Sequence, residues 1–252
     1  MRAKKGISIN GEIHTANDLD MILKIDGSSA QNPEPKLLIE NIHGRNGVLD
    51  LSDWCGGIIF FENRPVSYKF FICGTREEVR RAIERLNRFH GRTIAVVEDD
   101  DPDFSLTGRA DVVIEEMAPY GNYAYLTLTL DAEPYRKRLT PTVREFADII
   151  GTRYEEIGNN VMPVQLTVKV NSLTGTSQGY TYGVSIADAV TNVKQVVRTV
   201  GQSTAITAFL LKGGVQRVRI ETVRLADAAT DTWITDNTLT ATVTVSYTEG
   251  KF

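Results

Sequence analysis

The densest group of reactive side chains in this sequence is the carboxylate run Asp99-Asp100-Asp101-Pro102-Asp103. Calcium and other hard cations are held by several oxygen ligands from one short loop. This run lacks the alternate-position spacing and the glycine of an EF-hand loop, and consecutive carboxylates cannot all converge on one ion. We therefore interpret it as a solvated turn that ends a strand over 92–98, and we predict no metal site.

Histidines, cysteines and nucleophile motifs give no catalytic set. The histidines His14, His43 and His90 lie in different segments beside glycine or polar turn residues, so we expect no ligand cluster. The sequence contains no G-x-S-x-G, G-x-x-x-x-G-K-[ST] or H-E-x-x-H motif, so the common hydrolytic and nucleotide-binding arrangements lack their parts. We predict neither enzymatic activity nor a cofactor. Cys55 and Cys73 are interpreted as buried small hydrophobes.

Aromatic side chains in the second half offer a different chemistry. Exposed rings of Trp233, Tyr180 and Tyr182 could stack on sugars, although burial is the commoner fate of such residues. A carbohydrate-binding adhesin that acts through the second half is therefore one alternative function.

The length and the charge of the chain limit the remaining classes of fold and function. A chain of 252 residues with 42% apolar side chains can form one large β domain or two ordinary ones. A net charge of −4 argues against sequence-independent binding of nucleic acid, because such binding requires a basic face. The longest apolar runs fall well short of the roughly 20 residues that span a bilayer, and the amino terminus has no signal-peptide pattern. We expect synthesis in a cytoplasm and no membrane partner.

The elements of the first half are mostly strands. Alternation or short apolar runs predict strands over 37–39, 48–49, 58–61, 66–73, 92–98, 109–115 and 123–130. One helix is predicted over 75–89, because Thr75 and Glu78 form a capping box and apolar residues recur at helical spacing up to Gly91. The first half is thus predicted to consist of strands packed on one helix.

The pattern changes after Pro134, where a basic cluster follows, and we place a domain boundary there, giving domains 1–138 and 139–252. Strands are predicted over 164–170, 180–184 and 238–247, with a β-hairpin over 206–225 around a Gly-Gly turn. Helices are predicted over 141–157 and 185–200, although the valines of the latter segment also favour a strand. The second domain is therefore predicted to be β-rich with one or two helices.

Residues 18–135 contain several short motifs whose order along the chain is informative. They are the Gly44-Arg45-Asn46-Gly47 turn before Leu49-Asp50-Leu51-Ser52, then Asn63-Arg64, Leu86-Asn87 with His90-Gly91, the aspartate-rich turn over 99–104, Leu106 to Arg109, and Thr129 to Pro134. In this order they resemble the amino-terminal domain of the siphophage distal tail protein family. His43 is a departure, since the family often has proline before the Gly-Arg pair.

The resemblance implies a virion structural protein whose amino-terminal half is a β-sandwich with a flanking helix, a fold related to tail-tube subunits. Copies of such a protein close into a hexameric ring at the tail tip, which joins the tail tube protein to a tail-associated hub protein and to receptor-binding proteins of the baseplate. The expected localisation is the virion, after a period in the host cytoplasm. A tail-tube or tube-completion subunit is the second alternative.

The resemblance ends near residue 140. Family members carry beyond it a galectin-like or OB-like module, and a second tube-like sandwich fits equally. DNA is expected to pass through the ring without specific binding, and an acidic wall would repel its phosphates. The candidates for this lumen-facing charge are Asp99, Asp100, Asp101, Glu115 and Glu116.

Overall fold

A computed structural model describes residues 5–40, 49–50, 59–159, 161–176 and 179–252. The predicted mainly β class is confirmed, with 58% of the chain in strands and 7% in helices. The chain forms two compact units, residues 1–139 together with Phe252, and Thr140–Lys251. The motifs around Gly44 to Ser52, His43, Trp54 and Cys55 lie outside the described residues, except for the backbone of residues 49–50.

Unit 1 contains ten strands and two helices among its described residues. They are β1 (Ile7–Ile9), β2 (Ile13–His14), α1 (Thr15–Asp18), β3 (Ile22–Ala30), β4 (Ile39–Glu40), β5 (Leu49–Asp50), β6 (Arg64–Cys73), α2 (Arg76–Asn87), β7 (Thr93–Glu98), β8 (Asp101–Met117), β9 (Tyr123–Ala132) and β10 (Arg136–Arg138).

The strands of unit 1 form one antiparallel sheet in the order β2-β1-β7-β8-β9-β6-β3, with β10 also paired to β8, while β4 and β5 pair separately. Side chains alternate across this sheet, as the period of a strand requires. On β6, Val66, Tyr68 and Phe70 are buried, while the residues between them are more exposed. The buried side chains of one sheet face make the core of the unit.

Helix α2 covers part of this core and matches the prediction. Thr75 accepts a hydrogen bond from the backbone N–H of Glu78, and the Glu78 carboxylate accepts one from the backbone of Thr75, which completes the predicted capping box. Val79, Ile83 and Leu86 are buried along one stripe of the helix. Each such side chain stabilises the docked helix by roughly 1.5–3 kcal/mol.

Unit 2 contains ten strands among its described residues and no helix there. They are β11 (Thr142–Ile150), β12 (Thr152–Asn159), β13 (Thr167–Thr174), β14 (Tyr182–Asp188), β15 (Lys194–Val197), β16 (Ser203–Ala205), β17 (Gly214–Asp227), β18 (Thr232–Thr235), β19 (Thr240–Tyr247) and β20 (Gly250–Lys251). One sheet has the order β11-β19-β13-β16, and the other has β12-β17-β14-β15 with β18 paired to β17. Tyr247 on β19 donates a hydrogen bond to the Gly158 carbonyl on β12, which ties the two sheets together.

The two helices predicted in the second half are wrong. Residues 141–157 form β11 and β12, which are separated by Gly151 at a φ of +64°. Residues 185–200 form most of β14, a turn and β15, because the carboxylate of Asp188 accepts from Val190 and Thr191 within a turn and caps no helix. The β-branched valines of this segment follow their strand preference.

Three smaller expectations also need correction. The aspartate-rich turn ends sooner than predicted, since Asp101 already begins β8. The hairpin over 206–225 is absent, because β17 pairs with β12, β14 and β18. Cys73 is exposed at the end of β6.

None of the described helices has the length and apolar character needed to cross a membrane.

Candidate functional site

The most distinctive surface of unit 1 is a four-stranded part of its sheet, β8-β9-β6-β3, at the end where β7 no longer runs beside β8. One row of paired residues crosses it from Ile22 through Phe71 and Tyr125 to Glu116. The next row, on the core face, runs from Leu23 through Phe70 and Leu126 to Ile114. We call this part of the sheet the four-strand face.

Both margins of the four-strand face are open within the described part of the chain. β7 pairs with β8 only between Asp101 and Arg109, so no strand lies along the other side of β8 beyond Val112. β3 is bonded to β6 alone. Unpaired strand margins expose backbone donors and acceptors to which a further strand can bond. On β8 the open margin carries exposed apolar side chains, namely Val113, Ile114 and Met117.

The side of the four-strand face opposite the core is aromatic and charged. The rings of Phe71, Tyr123 and Tyr125 contact one another at centroid distances of 5.1–6.3 Å. The ammonium group of Lys24 lies 4.1 Å from the centroid of the Tyr125 ring.

Glu115 and Glu116, two of the predicted lumen-facing carboxylates, extend over this same side. Glu115 accepts a hydrogen bond from the Thr127 hydroxyl, and Glu116 accepts one from the Tyr123 hydroxyl at 3.2 Å. The bond to Glu116 and its negative charge raise the pKa of Tyr123. Neither carboxylate forms an ion pair with a described residue, while the ammonium group of Lys24 lies on this side over the ring of Tyr125.

The three predicted aspartates are placed differently. Asp99 accepts hydrogen bonds from the Gly6 backbone at 2.7 Å and from His14 Nε2 at 2.9 Å. Asp100 pairs with Lys5 at 2.7 Å, and Asp101 lies 3.5 Å from Arg136. Burial alone would raise the pKa of Asp99, but the bonds from His14 and Gly6 outweigh burial and lower it. Each aspartate is thus held by its own partner.

The aspartates and glutamates are not brought together. Asp101 and Glu115 lie near opposite ends of the 17-residue strand β8, a path of about 45 Å at the usual rise per residue. In the described residues no group of three or more His, Cys, Asp or Glu side chains is arranged to hold a metal ion.

The aromatic residues proposed for sugar stacking do not form one open platform. Trp233 is only 8% exposed, its indole N–H donates to Asp231, and the guanidinium of Arg198 lies 4.8 Å from its ring centroid. Tyr180 is exposed, and its ring lies 6.3 Å from that of Tyr182. Tyr180 is the most accessible of the three rings.

Sequence reasoning missed a charged cluster at one end of the unit 1 core. Both guanidinium Nη atoms of Arg136 donate to the Glu98 carboxylate, at 2.7 and 2.8 Å, and the Tyr68 hydroxyl donates to the same carboxylate at 2.7 Å. Burial and then Glu98 raise the pKa of Tyr68. Arg64 lies beside this cluster. The sequence held one signal for it, since Arg64 is in phase with the buried residues of β6.

These features define a mainly β protein with two units, one of which presents a sheet with open margins. The chain matches no protein-family model and no curated protein sequence. Its structure is similar to the crystal structure of SPP1 Dit (gp 19.1), which is described as a paradigm of the hub adsorption apparatus in phages that infect Gram-positive hosts. The TM-score is 0.55 at 14% sequence identity, and the match covers 98% of this chain and 99% of that chain.

The similarity extends over nearly the full length of both chains, so the shared fold includes residues beyond 140, where the sequence motifs end. The predicted resemblance to distal tail proteins is thereby confirmed at the level of the fold.

Proposed function

We propose that this chain is a structural protein of a long-tailed phage, a distal tail protein at the tail tip. The observation that carries the proposal is the nearly full-length structural match to SPP1 Dit, a hub protein of a phage adsorption apparatus. The ordered motifs in residues 18–135 support the same class independently of the coordinates. In this role the protein needs no catalytic set and no cofactor.

Unit 1 is proposed to form a hexameric ring with copies of itself. A head-to-tail interface closes into a ring when the rotation between neighbours divides a full turn. The four-strand face supplies two different open margins, β8 and β3, so β8 of one copy can bond to β3 of the next. Ile114 and Leu23 end the core-face row at these margins. Ring closure would bring them together and bury both.

The side opposite the core would then line the ring's channel. Glu115 and Glu116 lie on this side without an ion-pair partner among the described residues, so they are our candidates for the charge that faces passing DNA. Their fields would repel phosphates and prevent adhesion. Asp99, Asp100 and Asp101 are less suited, because each is held by its own partner.

The proposed partners are the tail tube protein on one side of the ring and a tail-associated hub protein on the other, with receptor-binding proteins beyond. Unit 2 is proposed as the platform on which such proteins dock. The proposed localisation is the tip of the virion tail.

A charge at the β8 margin tests ring formation. Ile114 is 41% exposed in the single chain, so Ile114→Lys is expected to fold, yet a ring would bury the lysine without a partner. Light scattering of the wild-type protein should give a mass six times the 27.9 kDa of one chain, and the variant should give a monomer. Ile150→Lys, at an exposed isoleucine of unit 2, is the matched control and should retain the ring mass. A wild-type protein that stays monomeric at high concentration would contradict self-assembly.

A further inference from the structure

Arg64 occupies an unusual position for an arginine. It begins β6 on the face that carries the buried residues Val66 and Tyr68, and only 4% of its surface is exposed. Arginines are almost never fully buried unless their guanidinium donors are paired. The partners of Arg64 therefore decide whether the site is complete.

The guanidinium of Arg64 is only partly satisfied. Nη1 donates to the Gln31 carbonyl at 3.2 Å, while Nε and Nη2 are buried and have no hydrogen-bond partner among the described residues. Leaving a charged donor buried and unpaired is costly. Nε and Nη2 lie along one edge of the planar group, and their spacing matches two oxygens of a carboxylate or phosphate.

The neighbouring acid cannot supply these oxygens. Both oxygens of Glu98 already accept from Arg136, and one also accepts from Tyr68. Arg136 adds a second positive charge beside Arg64. Burial first, and then the charge of Arg136, lower the pKa of Arg64. Tyr68 and Glu98 act in the opposite direction, and Glu98 also pairs with Arg136. The negative charge that is still missing is therefore at the unpaired edge of Arg64.

A second donor without a partner lies in the segment next to Arg136. The hydroxyl of Tyr135 is buried and makes no hydrogen bond to the part of the chain that the structure describes. Its ring is held by Phe252, at a centroid distance of 5.3 Å, and by Phe61, at 6.0 Å. The packing fixes the ring while the hydroxyl stays unused.

We propose that the Nε–Nη2 edge of Arg64 is the main contact of a binding site for one small oxyanion, which accepts both N–H groups and is also attracted by Arg136. The chemistry required is two oxygens that share a negative charge, as in phosphate, sulfate or a carboxylate. The proposal does not depend on ring formation.

Thermal unfolding of the full chain tests this site. Phosphate, sulfate and acetate are each titrated against chloride at constant ionic strength. A ligand that binds only the folded state raises the Tm saturably, by about 5–10 °C at a hundredfold excess over its Kd. We expect this rise in the wild type and in Arg80→Met, which changes an exposed arginine of α2. Arg64→Met should lose it, and Arg64→Lys should lose most of it, since an ammonium cannot offer the planar edge.

The three anions distinguish which class of ligand the site accepts. A response to phosphate and sulfate alone assigns a tetrahedral inorganic anion, whereas a response to acetate as well assigns a site that also accepts carboxylates. An equal rise of the Tm in the wild type and in Arg64→Met overturns the proposal, because the anion would then stabilise the protein by a general salt effect.

A variant that fails to fold does not block the test. Titration calorimetry of the wild type with phosphate should show one saturable site per chain, and this heat should disappear after saturation with sulfate. The absence of saturable heat for all three anions at millimolar concentrations would also overturn the proposal.

Discussion

Asp99 shows how one residue of the carboxylate run acquires a defined place. His14 Nδ1 accepts a hydrogen bond from the Asn17 backbone, so the ring proton must reside on Nε2, which donates to Asp99. The Gly6 backbone donates to the other carboxylate oxygen. These two bonds join Gly6, just before β1, and His14, at the end of β2, to the turn after β7, and they favour the ionised carboxylate.

The lowered pKa of Asp99 predicts an acid-dependent loss of stability. A carboxyl group whose pKa is depressed by folding contributes stability above its ordinary pKa, and the contribution is lost as the pH falls through the folded value. The Tm of the wild type should therefore fall with increasing slope below about pH 4. Asp99→Asn should be less stable at neutral pH and should show a shallower acid slope, measured by thermal unfolding between pH 7 and pH 3.

Asp100→Asn is the control for this prediction. The Asp100 carboxylate is largely exposed and pairs with an exposed Lys5, so its replacement should leave the acid slope close to that of the wild type. A slope for Asp99→Asn that equals the wild-type slope would contradict the assignment.

At the scale of residues, the sequence permits some predictions because they depend on local periodicity. The burial of Arg64 could be predicted from its phase with Val66 and Tyr68 on β6. Its unpaired edge could not, because the pairing of Arg136 with Glu98 joins residues 38 positions apart. Such a contact depends on the packed sheet.

Among the elements, the segment 185–200 shows why a periodic pattern misled the prediction. Valines at positions 190, 193, 197 and 200 fit one side of a helix, and Ser185 with Asp188 fits a helix start. In the folded unit Ser185 and Asp188 lie on β14 and Val197 lies on β15, with Ile186 opposite Gln195. The other valines lie in the turn between these strands or, for Val200, beyond β15. Short apolar patterns cannot separate a buried strand from a helix without the pairing partner.

The strand arrangement makes a sharp prediction for two of these valines. A helix would bury all four valines along one stripe, but Val197 on β15 is 2% exposed and Val190 in the turn before β15 is 82% exposed. Val197→Ala should reduce the free energy of unfolding by about 2 kcal/mol, because it leaves a cavity in the core of unit 2. Val190→Ala should change it by less than about 0.5 kcal/mol. Urea denaturation measures both, and equal losses would support the helix instead.

For the whole molecule, the mainly β class and the family resemblance could be predicted, because alternation and motif order are properties of short sequence segments. The open margins of the four-strand face could not be predicted from the sequence. Strand periodicity predicted residues 109–115, whereas β8 runs from Asp101 to Met117 and extends well beyond the end of its pairing with β7. The point at which β8 extends beyond its neighbour β7 depends on long-range strand pairing. This unpaired part of β8 forms one of the open margins on which the ring proposal rests.

The proposed ring leads to a prediction about copy number in the virion. A tube subunit must stack on copies of itself along the whole tail, whereas a distal protein is present only where the tube ends. The match to SPP1 Dit over 98% of the chain shows the shared fold, and the distal role is our proposal. Quantitative mass spectrometry of purified phage particles should therefore give a small fraction of this chain relative to the main tube protein. Antibody labelling in electron micrographs should mark one end of the tail, and label along its whole length would instead identify a tube subunit.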